Sequence, residues 1–179
     1  KLGVDQETES IITNSIIATA SEQEMTIAVA YLIHEQGLPW HQACIYAKKA
    51  VEYANNAETA NHIVKLPNVQ ELLEYLTKQN IICGILTADT TQRAKHHMEI
   101  AELTPYFQFI YGSDCVQNSK PAPDLIYHAI QNHKIDLTKT AYIGDTNADM
   151  QMAKSAGCAL TIGIGQDFNP NLVDISIKN

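Results

Sequence analysis

The sequence predicts an α/β fold in which a parallel sheet is flanked by helices and preceded by a small all-helical segment. Three observations carry this. The first third of the chain reads as helix throughout, with no strand-like run. After Pro67, short apolar runs alternate with amphipathic helical stretches, the rhythm of a parallel sheet covered on both faces. Each of four such runs ends in a polar or glycine-containing turn, and in parallel sheets chemistry gathers at those carboxyl ends.

Taken in order, residues 8–19 read as one helix. Ser21-x-x-Glu24 is a capping box that opens a second helix, running to Gln36 and stopping at Gly37. A third covers 41–56, after the Pro39-Trp40 break. Asn68 is placed to cap a helix over 69–79. The run Ile81-Ile82-Cys83-Gly84-Ile85-Leu86 is short enough for a buried strand. A helix over 90–101 and a strand over 107–111 follow. Pro123 opens a helix to 132, where its missing N–H is tolerated. A strand at 140–143, a helix at 147–156 and a strand at 159–164 complete the series, and Asp174–Asn179 reads as a late strand. These boundaries give a helical domain over 1–64 and an α/β domain over 65–179.

Composition narrows the function classes. Apolar residues make up 45% of the 179 positions and charged residues 18%, ordinary globular values. No apolar run approaches the roughly 18–20 residues of a membrane span, so no membrane partner is expected. The formal net charge of −8 argues against a nucleic-acid surface, which needs clustered lysine and arginine. It leaves room for a phosphorylated substrate, because one placed lysine and a divalent cation supply a local positive field. Cys44, Cys83, Cys115 and Cys158 have no metal spacing and read as reduced, buried thiols of a cytoplasmic protein. Nothing in the sequence sets an oligomeric state.

Three segments sit where a strand should end. In Leu86-Thr87-Ala88-Asp89, a hydroxyl followed by backbone N–H groups opening a helix makes an anion cradle, although Thr87 could equally be a plain N-cap. In Ser119-Lys120-Pro121-Ala122-Pro123-Asp124, the lysine precedes a stiff turn that can aim its ammonium; a solvated lysine is the alternative. In Gly144-Asp145-Thr146-Asn147-Ala148-Asp149, two carboxylates lie one helical turn apart, with no basic residue nearby in sequence. They repel unless a cation joins them, and hard oxygen ligands suit Mg²⁺. The alternative is N-capping by Asp145 or Asn147.

In this order, each after a strand, these segments closely resemble the haloacid dehalogenase (HAD) superfamily core. Thr87 matches its second motif, Lys120-Pro121 its third, and Gly144-Asp145-Thr146-Asn147-Ala148-Asp149 its fourth, of GDxxxD type. The segments Leu66-Pro67-Asn68-Val69 and Ala153-Lys154-Ser155-Ala156-Gly157 match as well. The helical first third looks like the small cap of the phosphoglycolate phosphatase and β-phosphoglucomutase branch. The resemblance implies a Rossmann-like core with the cap inserted, and a Mg²⁺-dependent phosphatase acting on a small phosphorylated metabolite through an aspartyl-phosphate. Thr87 and the Ala88 N–H would bind a phosphoryl oxygen, and Lys120 would hold nucleophile and phosphate together. Asp145 would be a catalytic metal ligand, with Asp149 completing the metal site or orienting its neighbour.

The family's first motif, a strand ending in DxD that carries the nucleophile, has no match. Asp5-Gln6-Glu7-Thr8 resembles it only faintly, with no apolar strand before it. The chain is therefore expected to begin inside a longer polypeptide, roughly 20–30 residues short by the family's spacing and the length of a first helix, and to be inactive alone. The central first strand should be absent, leaving the strands that end at Leu86 and Ile143 unpaired with each other. A phosphomutase would share these motifs, a dehalogenase would not need the Asp145/Asp149 pair, and a catalytically dead binding or regulatory protein would have lost the first motif. For substrate choice, Lys48, Lys49, His34 and His41 are the cap's candidates, a solvated helix face being the alternative. Trp40 and the tyrosines read as core packing.

Overall fold

The structure is a computed structural model of the chain. It describes all residues except 1, 6, 9–11, 13–14, 58–62, 166–167 and 179. The described elements run α1 (Ile16–Thr19), α2 (Glu22–His34), α3 (Trp40–Ala57), α4 (Val69–Lys78), β1 (Gly84–Leu86), α5 (Thr91–Ile100), β2 (Phe109–Tyr111), α6 (Asp124–Asn132), β3 (Ala141–Gly144), α7 (Asn147–Ala156), β4 (Leu160–Ile164) and β5 (Ile175–Ile177). This is the predicted α/β order. The expected helix over 8–19 is seen only as the short α1, and part of that span lies outside the described residues.

Contacts divide the chain into two compact units. One is Lys1–Ile85 with Gln92–Ile110; the other is Leu86–Thr91 with Tyr111–Asn179. In the first, α2 and α3 pack through small residues: Ala30, Ala43 and Ala47 are essentially inaccessible. The capping box forms as read. Ser21 Oγ accepts from Glu24 N at 3.3 Å, and Ser21 N donates to Glu24 Oε2 at 2.8 Å. Asn55 Nδ2 donates to Glu22 Oε2 at 3.0 Å, tying the end of α3 to the start of α2. A second core in this unit gathers Leu73 of α4 with Ala101 and Leu103. Asn68 sits at the N-cap of α4 with φ 63° and makes no side-chain cap bond, so its contribution is the left-handed turn it tolerates.

The second unit carries a three-stranded parallel sheet in the order β3-β4-β5, with Ile143 opposite Ile162 and Ile162 opposite Ile175. β1 pairs with β2 in a separate two-stranded sheet. Among the described residues, the strands ending at Leu86 and Ile143 are not paired with each other. The core lies where α6 and α7 meet: Leu125, Ile126, Met152, Ala153 and Cys158 pack together, with Leu86, Tyr111 and Tyr142 against them. Fully burying Leu125 and Met152 is worth about 1.5–3 kcal/mol each. Gly157, in the left-handed region at φ 87°, ends α7.

Three expectations change. The sequence predicts a first strand over 81–86, but Ile81 and Ile82 are exposed and the strand is Gly84–Leu86. An apolar run alone does not say how much of it finds a neighbouring strand. Trp40, Tyr31, Tyr46, Tyr53, Tyr75 and Tyr127 are exposed rather than core residues, those of α2 and α3 because that seam is closed by alanines, whereas Tyr106, Tyr111 and Tyr142 do pack against the buried clusters. Of the cysteines, only Cys158 is buried, and all four are free thiols.

Candidate active site

Thr87, Lys120, Asp145 and Asp149 all belong to the second unit. Lys120 is its hub. Its Nζ donates to Leu86 O at 2.8 Å and to Asp149 Oδ1 at 2.7 Å. One end of this side chain's reach is the residue before Thr87. The other is the carboxylate at the start of α7, one turn after Asp145 closes β3. Lys120 thereby links the end of β1, just before Thr87, to the start of α7, just after Asp145.

Asp149 is held on all sides. Oδ1 also accepts from Tyr142 OH at 3.3 Å, and Oδ2 accepts from Thr146 N at 3.1 Å and Thr146 Oγ1 at 2.6 Å. Thr146 Oγ1 in turn accepts from Asp149 N, so Thr146 and Asp149 form the capping box of α7. Neither Asp145 nor Asn147 caps this helix. Thr146-x-x-Asp149 is a local signal that could have found it. Asn147 Oδ1 instead accepts from Asn169 N at 2.8 Å. Burial by itself pushes the Asp149 carboxyl up. The Lys120 charge and hydrogen bond, with those from Thr146, outweigh it and hold the group below the usual carboxylate range. Burial raises the Tyr142 phenol far above its ordinary value, Asp149's charge adding to the effect, so Tyr142 stays a neutral donor.

Gly144 explains its own place in the motif. A Cβ there would lie 2.4 Å from Asp149 Cβ and 2.7 Å from its Cγ. Only a residue without a side chain lets the Asp149 carboxylate fold back over β3 toward Lys120.

Asp145 is different in kind. It is exposed and makes no hydrogen bond or ion pair among the described residues. A free, hard carboxylate is a donor Mg²⁺ accepts, since that ion takes one or two carboxylates and keeps water or phosphate oxygens for the rest. Asp149 offers no uncommitted oxygen, so a direct metal contact from it would have to displace one of four donors. No cluster of three or more His, Cys, Asp or Glu suited to a metal occurs among the described residues. Asp145 thus fits the ion as one member of a donor set.

At the end of β1, Thr87 N donates to Tyr111 O at 3.0 Å. Thr87 Oγ1 accepts from Asp89 N at 3.1 Å. That bond uses the hydroxyl as an acceptor and leaves its proton to donate elsewhere. The Ala88 N–H has no acceptor among the described residues. The α5 opening is not part of this cradle, because Thr91 N already donates to Asp114 Oδ1 at 2.7 Å. Two donors and an ammonium are what a phosphoryl group binds.

The sequence profile of the haloacid dehalogenase-like hydrolase family matches residues 4–162. The chain belongs to that family. Among curated HAD relatives, the phosphoglycolate phosphatase of Escherichia coli (strain K12) is 30% identical over 103 residues, 58% of this chain and 40% of that protein. The phosphoglycolate phosphatase of Pseudomonas fluorescens (strain Pf0-1) is 25% identical over 127 residues, 70% and 46%. The chain spans less than half the length of these relatives. A HAD-superfamily hydrolase from Ehrlichia chaffeensis superposes with a TM-score of 0.59 at 29% identity, covering 87% of this chain and 71% of that one. A structure described as a predicted phosphoglycolate phosphatase from Haemophilus somnus reaches 0.71 at 20% identity, covering 89% and 73%, a likeness of fold.

The remaining candidates sit in the first unit. Lys48 is exposed and pairs with Glu52 at 3.9 Å one turn along α3, and Lys49 and His41 are exposed. His34 Nδ1 lies 2.6 Å from Leu38 O, and its ring meets Trp40 edge-on at 5.8 Å, which assigns it to the α2 terminus. Asp5 Oδ1 accepts from Glu7 N and Thr8 N, closing its own turn. No helix among the described residues is long and apolar enough to cross a membrane.

Proposed function

We propose that this chain carries the phosphate-binding and part of the metal-binding half of a Mg²⁺-dependent HAD phosphatase acting on a small phosphate monoester in the cytoplasm. The observation that carries the reading is Lys120. It is a nearly buried ammonium held between Asp149 and the carbonyl of Leu86, the residue just before Thr87 and Ala88.

In this reading Thr87 and the Ala88 N–H take one phosphoryl oxygen. Lys120 draws the attacking carboxylate and the phosphate together and stabilises charge developing on phosphorus. Asp149 is a positioning residue that orients Lys120 and, through the α7 cap, the Asp145 loop. Asp145 holds Mg²⁺ when it is bound, and that ion supplies charge neutralisation at the phosphoryl oxygens. The attacking carboxylate, which would form an aspartyl-phosphate, is not in any motif matched here, and we place it on a segment outside residues 1–179. The helices of residues 1–64 serve as the cap that selects the substrate. A phosphomutase would use the same groups; the phosphoglycolate phosphatase names of the curated relatives favour hydrolysis.

The test is hydrolysis of a phosphate-ester panel, including phosphoglycolate, by the complete protein with and without Mg²⁺. Metal-dependent release of phosphate from at least one ester, reduced on the order of 100-fold or more by Lys120→Ala, is the expected result. No turnover of any ester, or undiminished turnover in that variant, overturns the reading.

A further inference from the structure

We propose that Asp114, outside every matched motif, is a positioning residue for the phosphate cradle and acts through Thr91 and Gly112. This deepens the reading above and rests on its placing of phosphate at Thr87 and Ala88.

The Thr87–Thr91 turn is held by more than its own bond from Asp89 N to Thr87 Oγ1. It is clasped by the segment that follows β2, through contacts that all lie within the second unit. Asp114 Oδ1 accepts from both Thr91 N at 2.7 Å and Thr91 Oγ1 at 2.8 Å. Thr91 Oγ1 then accepts from Gly112 N at 2.8 Å. Ser113 N donates to Asp89 O at 2.8 Å, and Thr87 N to Tyr111 O at 3.0 Å. The turn is thus pinned at Thr87, Asp89 and Thr91, leaving the Ala88 N–H and the Thr87 hydroxyl proton between fixed points.

Gly112 makes this close approach possible. A Cβ there would lie 2.3 Å from Thr91 N and 2.4 Å from Asp89 O, both backbone atoms that cannot swing aside. Asp114 also neutralises the amino end of α5 with the protein's own carboxylate. An incoming anion is therefore not drawn to the α5 terminus and meets its donors at Thr87 and Ala88. Asp114 is exposed, and a single carboxylate oxygen holds the clasp through its two hydrogen bonds to Thr91.

The experiment is an amide NMR titration of the 179-residue chain with inorganic phosphate, following Thr87 and Ala88. The variants are Asp114→Ala, Asp114→Asn and, as a capping loss elsewhere in the same unit, Asp136→Ala. Asp136 caps a short turn by accepting from Thr138 N and Oγ1. The expected result is phosphate binding at Thr87 and Ala88 in the wild type, weakened roughly 10-fold in Asp114→Ala, the usual scale for a lost hydrogen bond to a charged group. Asp114→Asn, which keeps an acceptor oxygen, should recover most of the affinity, and Asp136→Ala should stay near the wild-type value. If phosphate leaves Thr87 and Ala88 unperturbed in the wild type, the phosphate reading falls and this proposal with it. If the wild type binds and Asp114→Ala binds equally well, or Asp136→Ala weakens binding as much as Asp114→Ala, only the clasp is overturned.

Discussion

Lys120 Nζ and Asp149 Oδ1 lie 2.7 Å apart, with side chains only 11% and 7% exposed, so these two buried charges neutralise each other across 29 positions of sequence. The pair answers the repulsion expected between Asp145 and Asp149. A cation does join the acidic segment, and it is the protein's own lysine that meets Asp149, leaving Asp145 free.

Removing one member leaves the other buried and uncompensated. Asp149→Ala should destabilise the chain by about 3–5 kcal/mol, read by urea denaturation. Lys48→Ala, which breaks an exposed pair on α3, should change stability by less than about 0.5 kcal/mol. Equal effects of the two substitutions would show that water reaches the Lys120–Asp149 contact.

Gly144→Ala should act on Asp149 at a distance of one side chain. The added methyl meets the Asp149 Cβ and Cγ, and overpacking of this kind costs about 1–3 kcal/mol. The expected NMR signature is a shift of the Thr146 and Asp149 amides, the two ends of the α7 capping box. An unshifted capping box would mean that β3 moves instead of the carboxylate.

Asp174 should make the β5 end of the sheet sensitive to acid. Its carboxylate accepts from Lys154 Nζ, Thr161 N and Thr161 Oγ1, and the Lys154 hydrogen bond, followed by those from Thr161, brings its pKa down to about 2. The folded value lies below the unfolded one of about 3.9. Its contribution is therefore complete above pH of about 4 and is lost as pH falls toward 2. Exchange of the Thr161 and Asp174 amides should accelerate over that window in the wild type. In Asp174→Asn it should already be fast at pH 6 and change little with acid; an unchanged acid response would place the sensitivity on another group.

Mg²⁺ binding should separate the two carboxylates of the fourth motif. In the complete protein, Asp145→Asn should weaken binding more than Asp149→Asn, measured by calorimetric titration. Asp145 has an uncommitted carboxylate, whereas each oxygen of Asp149 already accepts two hydrogen bonds. Loss of Asp149 should act indirectly, roughly 10- to 100-fold. The reverse ranking would mean that Asp149 exchanges a protein donor for the ion.

The sequence by itself determined the order of elements and singled out the candidate residues of the site, because both are written in local signals. Helical periodicity placed α2 and α3, and Ser21-x-x-Glu24 closed its box within a single turn, where the partners are three residues apart whatever the rest of the chain does. Thr87, Lys120, Asp145 and Asp149 were legible because each follows a strand in a spaced motif. Tertiary structure alone decided what those groups do to one another. The pairing of Lys120 with Asp149, the Tyr142 donor to the same carboxylate, the room that Gly144 leaves for it and the Asp114 clasp on Thr91 all join residues from different elements. Such contacts depend on how helices and strands pack, and packing is set by shape summed over many side chains. For the same reason the Ile81-Ile82 run gave no strand and the tyrosines of α2 and α3 stayed at the surface: burial is granted by a neighbour, and an apolar side chain cannot name its neighbour in advance.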